Sequence, residues 1–322
     1  MNLLSRMVSS CVLAGCALVA AAQSSFPSKP LRIIVPFTPG SGTDTAARYY
    51  AEPLGKLLGQ PVVVENRPGA NGAIGVMTVK NAPADGYTLL MASNSPITVN
   101  PLTEKSLAYD PFNDLRPISG ISRSMAVYLV PVSSPYKTLQ EFTEAARSGP
   151  HALNIATYSA GQILANAWLS QLSGAKLQNV SYKGQTQIMT DLEGGHIDAA
   201  LVDISGAVTH IKAGKVRALA VTSDKRHFQV PEVPTVQEAG FPEYLYLTWV
   251  SVYAAKHTPE PVAAVLENAM QKILDTDYAR GYQAKFGGGS LMPLTAAQQA
   301  AFQKEEYDRL KSIADKVGIK PQ

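Results

Sequence analysis

The chain of 322 residues is long enough for two domains that each bury a core, since domains usually run to about 100–200 residues. Apolar residues make up 46% of the sequence and charged residues 16%, which is typical of a well-packed soluble protein and excludes a long disordered tail. The formal net charge is only +3, and Lys and Arg occur without blocks. This pattern excludes the basic surface of a typical nucleic-acid-binding protein.

The N-terminus has the pattern of a secretory signal. Arg6 supplies a short positive region, residues 7–22 form an uncharged stretch of 16 residues, and residues 20–22 are alanines that suit cleavage. A transmembrane anchor needs about 20 apolar residues, and this stretch is shorter and contains two adjacent serines. We therefore predict a signal peptide at residues 1–22 and export of the mature chain.

Both cysteines, Cys11 and Cys16, lie inside this segment. Cleavage after Ala22 therefore leaves a mature protein without a thiol, a disulfide or a cysteine metal site. An alternative stays open, because residues 13–16 (LAGC) resemble the lipobox of bacterial lipoproteins and would make Cys16 a lipidated N-terminus. The uncharged run that continues to Ala22 favours ordinary cleavage.

The first part of the mature chain alternates strand and helix patterns, which predicts an α/β fold. Residues 31–35 (LRIIV) predict a strand, a Gly-rich loop follows, and further strands are predicted at residues 62–64 and 88–91. Between the first two strands, apolar side chains recur at helical spacing, namely Ala47, Tyr50, Leu54, Leu57 and Leu58.

A second α/β series begins at residues 125–130, with a helix from Leu139 and strands at residues 153–156, 197–202 and 216–221. Apolar spacing predicts two C-terminal helices, one with Val262, Val265, Leu266, Ala269 and Ile273 and the other with Phe302, Leu310, Ile313 and Val317. We expect both helices to pack back onto the first lobe.

The predicted fold class is α/β with two lobes, each a mostly parallel sheet flanked by helices. Residues 26–124 and 254–322 are assigned to lobe 1 and residues 125–253 to lobe 2. The chain then crosses between the lobes twice, near both boundaries. Two such crossings form a hinge that permits closure on a ligand.

The loop after the first strand, residues 36–45 (PFTPGSGTDT), is the most informative segment. Glycines let the backbone approach a ligand, Thr43 or Asp44 can cap the helix, and the positive helix end suits a carboxylate. An ordinary capped turn explains the same residues equally well. A dinucleotide fingerprint would need a third glycine, and the chain has no Gly-Lys-Ser or Gly-Lys-Thr of a phosphate-binding loop.

A similar loop, residues 157–162 (TYSAGQ), follows a strand of the second lobe and precedes a helix with Leu164, Trp168 and Leu172. We expect the two helix N-termini to face one cleft and to hold a carboxylate without Arg or Lys. Each exposed helix end favours an anion by about 0.3–1 kcal/mol, and more when partly buried. The alternative is two unrelated turns on opposite surfaces.

Further cleft candidates lie at strand ends, because ligands of open α/β sheets gather at the carboxyl ends of strands. Asp203 either orients a hydroxyl or a water, or it caps the backbone of Ser205 or Gly206. The complete set of predicted ligand-binding residues is Phe37, Thr38, Gly40, Ser41, Gly42, Thr43, Asp44, Ser93, Asn94, Thr157, Ser159, Ala160, Gly161, Tyr182 and Asp203.

Catalytic and metal sites are not indicated by any motif. The five histidines lack metal-ligand spacing, no Gly-x-Ser-x-Gly motif of a hydrolase occurs, and the Gly-rich residues 287–290 do not precede a nucleophile helix. We therefore predict a non-enzyme without metal or cofactor, although a carboxylate pair assembled only in space would leave no such pattern.

Seven segments match the motifs of one known protein family, in the same order along the chain. They are PSKPLRIIVPF at residues 27–37, VVENRPG at 63–69, DGYTL at 85–89, YDP at 109–111, YKG at 182–184, AGKVRALAVT at 213–222 and VPTVQEAG at 233–240. Together with Pro39, Gly40 and Asp44, they closely resemble the substrate-binding proteins of tripartite tricarboxylate transporters, the Bug family. The likeness covers nearly the whole mature chain.

The resemblance implies a periplasmic type II, or Venus-flytrap, binding fold. In that family two strand-loop-helix elements hold a carboxylate, often through backbone amides and bridging waters. By resemblance the residues of the first wall would be Thr38, Gly42, Thr43 and Asp44, and those of the second would be Thr157, Ser159 and Gly161, with Asp203 nearby.

This sequence departs from the family pattern in both loops. The family usually has two adjacent glycines after Pro39, whereas Ser41 follows Gly40 here. The second loop is shorter and lacks the family's Ser and His downstream of Gly161. Because these positions belong to the ligand-binding loops, the resemblance implies the fold and leaves the identity of the ligand open.

The leading hypothesis is a periplasmic carrier that closes on a small organic carboxylate and delivers it to the permease subunits of a tripartite tricarboxylate-type transporter. One alternative is an exported α/β enzyme acting on a small organic acid, and another is a protein that presents its ligand to a sensor kinase. We expect a monomer, because no long amphipathic stripe is left over after the lobes are packed.

Overall fold

The computed structural model describes residues 26–286 and 290–321, and the predicted signal peptide at residues 1–22 lies outside these ranges. Within them, the strands form two mixed sheets that share one long strand. Helices flank both sheets. The predicted α/β class is confirmed.

The first sheet is built on three parallel strands, β1 (Leu31–Val35), β2 (Val62–Asn66) and β3 (Thr88–Ser93), with β1 in the middle. β9 (Leu247–Ala255) runs antiparallel to β3. The apolar run of β1 explains its central position, because a strand covered by helices on both faces has no polar alternation.

The second sheet repeats this plan. β5 (Leu153–Thr157) lies between β6 (Leu177–Ser181) and β7 (Ala199–Asp203), and the three strands are parallel. β8 (Val216–Val221) completes the sheet, separated from β7 by a strand that runs antiparallel to both.

That separating strand is β4 (Leu115–Pro131), which belongs to both sheets. Met125 is the last residue of β4 that pairs with β9, and Ala126 is the first that pairs with β7. The chain returns at Tyr246, whose backbone N–H donates to the Thr222 carbonyl of the second sheet at 3.0 Å directly before β9 begins. The two crossing segments therefore lie side by side between the sheets.

The helices follow the strands in βαβ order. They are α1 (Gly42–Leu58), α2 (Ala73–Lys80), α3 (Asn100–Thr103), α4 (Leu139–Ser148), α5 (Ala160–Ser173), α6 (Gln185–Glu193), α7 (Val208–Lys212), α8 (Glu260–Leu274), α9 (Asp277–Phe286) and α10 (Ala296–Lys316), and a two-residue strand β10 (Ser290–Leu291) pairs with β4. Across the part of the chain that the structure describes, no helix is both long and apolar enough to span a membrane.

The two C-terminal helices differ in where they pack. In α8, Leu266 and Met270 join the core of the first sheet, as expected. In α10, Leu310 and Ile313 instead join a core cluster that contains Trp168 of the second-lobe helix α5. The expectation that both helices pack on the first lobe holds for the start of α10, where Phe302 packs on Trp249 of β9 with ring centroids 5.6 Å apart. Its later turns also contact the second lobe, because its 21 residues extend about 31 Å.

Candidate functional site

The loop before α1 is held in shape by side chains of its own lobe. Ser41 is the N-cap, and its hydroxyl accepts a hydrogen bond from the Asp44 amide at 3.2 Å. The Asp44 carboxylate accepts hydrogen bonds from the Gly40 amide at 3.0 Å, from Arg48 at 3.1 Å and from Asn66 at 2.8 Å. Asp44 is therefore fully occupied in shaping the loop, and its charge is balanced locally.

This arrangement leaves the first two amides of α1, at Gly42 and Thr43, without a partner inside the helix. The Asp44 amide is bonded to Ser41, and the Thr45 amide donates to the Ser41 carbonyl at 2.9 Å. The start of α1 is thus a donor pair at the positive end of a helix dipole.

The start of α5 is built in the same way from the second lobe. Ser159 is the N-cap and accepts from the Gln162 amide, while the Gln162 side chain accepts from the Tyr158 amide at 2.8 Å. The Gly161 amide donates across the lobes to the Ser95 hydroxyl at 3.1 Å. The start of α5 therefore lies directly against the end of β3.

The two loops face each other, as the sequence predicted. Phe37 of the first loop packs edge-to-face on Tyr158 of the second, with ring centroids 5.7 Å apart. Phe37 belongs to a core cluster whose other members come from the second lobe. The alternative of two unrelated turns on opposite surfaces is therefore wrong for this structure.

Two small cavities lie between the loops and share Ser93, Asp203 and Thr248. The larger, of about 20 Å³, is lined by Gly42, Thr43, Ser93, Ser122, Ser124, Asp203, Ser205, Thr248, Trp249, Val250 and Tyr282. The smaller, of about 10 Å³, is lined by Phe37, Ser93, Asn94, Tyr158, Ser159, Gln162, Asp203, Tyr246 and Thr248. Hydroxyl groups dominate both linings, and no Lys or Arg is among the described residues that form them.

Asp203 lies at the end of β7 and borders both cavities. The Tyr158 hydroxyl donates a short hydrogen bond to Asp203 Oδ2. Burial raises the pKa of the Asp203 carboxyl above its ordinary value, although the Tyr158 hydrogen bond acts in the opposite direction. Burial, followed by the nearby Asp203 charge, raises the pKa of Tyr158 well above its ordinary value.

The predicted site residues fall into three groups. Those that line the cavities are Phe37, Gly42, Thr43, Ser93, Asn94, Ser159 and Asp203. Those that belong to the two loops and helix starts but do not line a cavity are Thr38, Gly40, Ser41, Asp44, Thr157, Ala160 and Gly161. Tyr182 borders neither cavity, because its hydroxyl donates to Asp191 of its own lobe at 2.7 Å.

Sequence reasoning missed the residues that the two crossing segments contribute. Ser122 and Ser124 of β4 and Thr248 and Trp249 of β9 line the larger cavity, and Tyr282 of α9 closes one side. The alternating serines of β4 are a weak signal of a polar face. The place of Trp249 follows only from the pairing of β9 with β4, which the sequence does not reveal.

Within residues 26–286 and 290–321, no group of three or more His, Cys, Asp or Glu side chains is arranged to hold a metal ion. The polar groups that the described residues contribute to the cavities are hydroxyls, amides, the Trp249 indole and one carboxylate. Such a set suits hydrogen bonding to a small polar ligand.

Solved structures with this fold are periplasmic binding proteins. The R. palustris protein Rpa4515 with adipate is 28% identical with a TM-score of 0.88 over 92% of this chain and 100% of that chain. MatC from Rhodopseudomonas palustris with bound malate is 29% identical, with a TM-score of 0.84 over 89% of this chain and 99% of that chain. The fold and the cleft between its sheets are thus those of the class of periplasmic solute-binding proteins, which includes BugD.

The family follows from the sequence comparison. The sequence model described as "Tripartite tricarboxylate transporter family receptor" matches residues 46–319. Protein BugT from Bordetella pertussis is 33% identical over 304 residues, which cover 92% of this chain and 91% of that protein. The chain belongs to the TctC, or Bug, family of tripartite tricarboxylate transporter receptors, a family of solute-binding receptors rather than enzymes, and the suspected resemblance is confirmed.

Ionisation of Asp203 should make the difference in stability between the wild type and Asp203→Asn depend on pH. Because its pKa is raised by burial, the folded protein binds this proton more tightly than the unfolded chain, and the stabilising effect is lost as pH rises through the raised pKa. We expect Asp203→Asn, which cannot ionise, to raise the unfolding temperature of the ligand-free protein at neutral pH.

The difference between Asp203→Asn and the wild type should shrink as pH falls toward the ordinary aspartate range. Calorimetry across this pH range measures it, with Asp224→Asn at an exposed position as the matched control. A difference that stays constant with pH would show that ionisation of Asp203 is not the cause.

Proposed function

We propose that this protein captures a small organic carboxylate between its two lobes in the periplasm and delivers it to the membrane subunits of a tripartite tricarboxylate-type transporter. The observation that carries the proposal is that the starts of α1 and α5, from different sheets, meet at one hydroxyl-lined cleft. Solved relatives hold adipate and malate, both small carboxylates.

A carboxylate fits the electrostatics of this cleft. The amides of Gly42 and Thr43 and the dipole of α1 favour an anion, and the start of α5 adds a second positive end. Among the described residues no Lys or Arg lines either cavity, so backbone amides and hydroxyls would supply the recognition. A ligand without negative charge would gain little from these helix ends.

Trp249 supplies one more donor. Its side chain is fully buried, it lines the larger cavity, and its indole Nε1 has no hydrogen-bond partner among the described residues. A buried N–H without a partner costs about 1–3 kcal/mol. Accepting this N–H is therefore a favourable role for a ligand carboxylate.

We divide the chain into two lobes that close on this ligand. The pairing of β9 with β3 favours a return crossing just before Leu247, so the lobe 2 segment would end there rather than at residue 253. The hinge then consists of β4 near Met125 and the segment before Leu247. Rotation at these two neighbouring segments would open and close the cleft.

Glycine permits the closest contacts between the lobes. A Cβ atom at Gly184 of the second lobe would overlap Thr38 Oγ1 of the first, and one at Gly40 would lie 2.9 Å from Thr186 Oγ1. We call these two pairs the closure contacts. Larger residues at either glycine would hold the lobes apart.

Ligand binding is the first test. We expect the mature chain, from residue 23 onward, to be stabilised by one class of small mono-, di- or tricarboxylate in a thermal-shift screen, since a ligand at about 100 times its Kd adds about 2.7 kcal/mol. Calorimetry should give one ligand per chain, and mass spectrometry should recover it unchanged.

Neutral amides of the same acids are the matched controls and should not stabilise the protein. Stabilisation by the amides but not by the acids would contradict the carboxylate site. Chemical conversion of a bound acid would favour the alternative of an exported enzyme.

The indole donor can be tested directly. Trp249→Phe keeps the ring and removes the N–H, so we expect the affinity for the stabilising acid to fall about 10-fold or more, because a hydrogen bond to a charged group is worth about 1.5–3 kcal/mol. Titration calorimetry measures the change. Trp168 of α5, whose ring stacks on Tyr244, does not line either cavity. Trp168→Phe is therefore the control and should bind the acid with the affinity of the wild type.

In the proposed function the two lobes can close fully only if residue 184 has no side chain, because a Cβ atom there would overlap Thr38. The φ of Gly184, 178°, is extended backbone that alanine also adopts, so Gly184→Ala should fold normally while its methyl group obstructs Thr38. We expect at least about 10-fold weaker acid binding, because affinity falls with the population of the closed form. Small-angle scattering with the acid present should show a more open variant than the wild type.

Lys183→Ala, at the exposed neighbouring position, is the control for this variant. The double variant Gly184→Ala with Thr38→Gly removes the obstructing side chain and should regain the compact form with the acid present. Equal compaction of Gly184→Ala and the wild type would show that this contact does not limit closure.

Export is supported by the signal pattern at residues 1–22 and by the family's periplasmic location. When the full sequence is expressed in a Gram-negative host, we expect the periplasmic fraction to contain the protein. Its intact mass should equal that of a chain whose first residue is Gln23. A mass that instead fits a lipid on Cys16 would establish the lipoprotein alternative.

A further inference from the structure

Asp203 is the one carboxylate among the described residues that line the two cavities. It borders both of them, between Gly42 at the start of α1 and Ser159 at the start of α5. A Cβ atom built on Gly42 would lie 3.1 Å from Asp203 Oδ2. A ligand carboxylate at the α1 amides would therefore have its neighbouring atoms beside Asp203.

The known contacts of Asp203 leave one oxygen available. Tyr158 donates to Oδ2, and Oδ1 accepts no hydrogen bond from the described residues. The side chain does not cap the short turn Ile204–Gly206 that follows, so the capping alternative is wrong in this structure. Asp203 also takes part in no salt bridge with a described residue.

The cleft therefore combines two opposite electrostatic features. Helix ends favour an anion, while Asp203 presents a partly buried carboxylate that would repel one at short range. A ligand satisfies both features when an N–H or O–H donor lies close to its own carboxylate. An acid without such a donor leaves Oδ1 unpaired and two negative groups near each other.

We propose that Asp203 selects a carboxylate ligand that carries a hydroxyl or ammonium group beside the carboxylate, with Oδ1 accepting its hydrogen bond. This inference rests on the proposed function and specifies the class of ligand. Of the two acids held by solved relatives, malate carries such a hydroxyl and adipate does not. We therefore expect this chain to bind the donor-bearing class.

Matched acids that differ in one substituent test the inference. The sets are propionate, lactate and alanine; succinate, malate and aspartate; adipate and 2-aminoadipate; and phenylpropionate, phenyllactate and phenylalanine. Titration calorimetry of the mature protein should show that the tightest acid carries a donor and binds at least about 10-fold better than its unsubstituted partner, a difference of about 1.4 kcal/mol.

Variants at Asp203 separate its role from that of the cleft as a whole. Asp203→Ala removes the acceptor and should reduce the preference for the donor-bearing acid to less than about threefold. Asp203→Asn keeps an acceptor oxygen but no charge, so it should weaken an ammonium ligand more than a hydroxyl ligand. Asp224→Ala, at an exposed position outside both cavities, is the control and should retain the preference.

The outcomes are distinct. Equal or tighter binding of the unsubstituted acids by the wild type would overturn the role of Asp203 and leave the proposed function in place. A preference that survives in Asp203→Ala would overturn it as well. Failure of every acid to bind would overturn the proposed function and this inference together.

Discussion

The structure depends on bringing two helix starts face to face without a Lys or an Arg among the described residues that line the cleft between them. Backbone amides can serve as an anion site only if the loops that carry them come close, and glycine makes that approach possible at Gly40 and Gly184. Each loop is made rigid within its own lobe, by Ser41 and Asp44 on one side and by Ser159 on the other. Each half of the cleft is thus shaped within its own lobe, and in the proposed function closure brings the two halves together.

Two aspartates near the cleft illustrate how environment decides the role of a carboxylate. Asp44 is paired with Arg48 and bonded to Asn66 and the Gly40 amide, so it serves the loop. Asp203 has no cationic partner within residues 26–286 and 290–321, and burial raises the pKa of its carboxyl. A carboxylate whose charge is penalised by burial lowers the stability of the free protein, and a ligand donor would relieve that penalty.

The sequence was sufficient to predict the α/β class, the parallel strands of each sheet and both strand-loop-helix elements, because these rest on local periodicity and capping. It was not sufficient for Trp249, Ser122 or Ser124, whose positions depend on pairing between strands that are more than 100 residues apart. For the same reason the additional contact of α10 with the second lobe was not predicted, since an apolar stripe does not reveal which elements it covers. Tyr182 was included for its position after a strand, but its hydroxyl turns to Asp191.

The most direct measurement is a crystal structure of the mature protein with the carboxylate that stabilises it most. We expect one acid to lie between the lobes. Its carboxylate should accept hydrogen bonds from the amides of Gly42 and Thr43 and from the Trp249 indole. An acid bound outside the cleft, or held inside it by Lys or Arg side chains, would contradict the account.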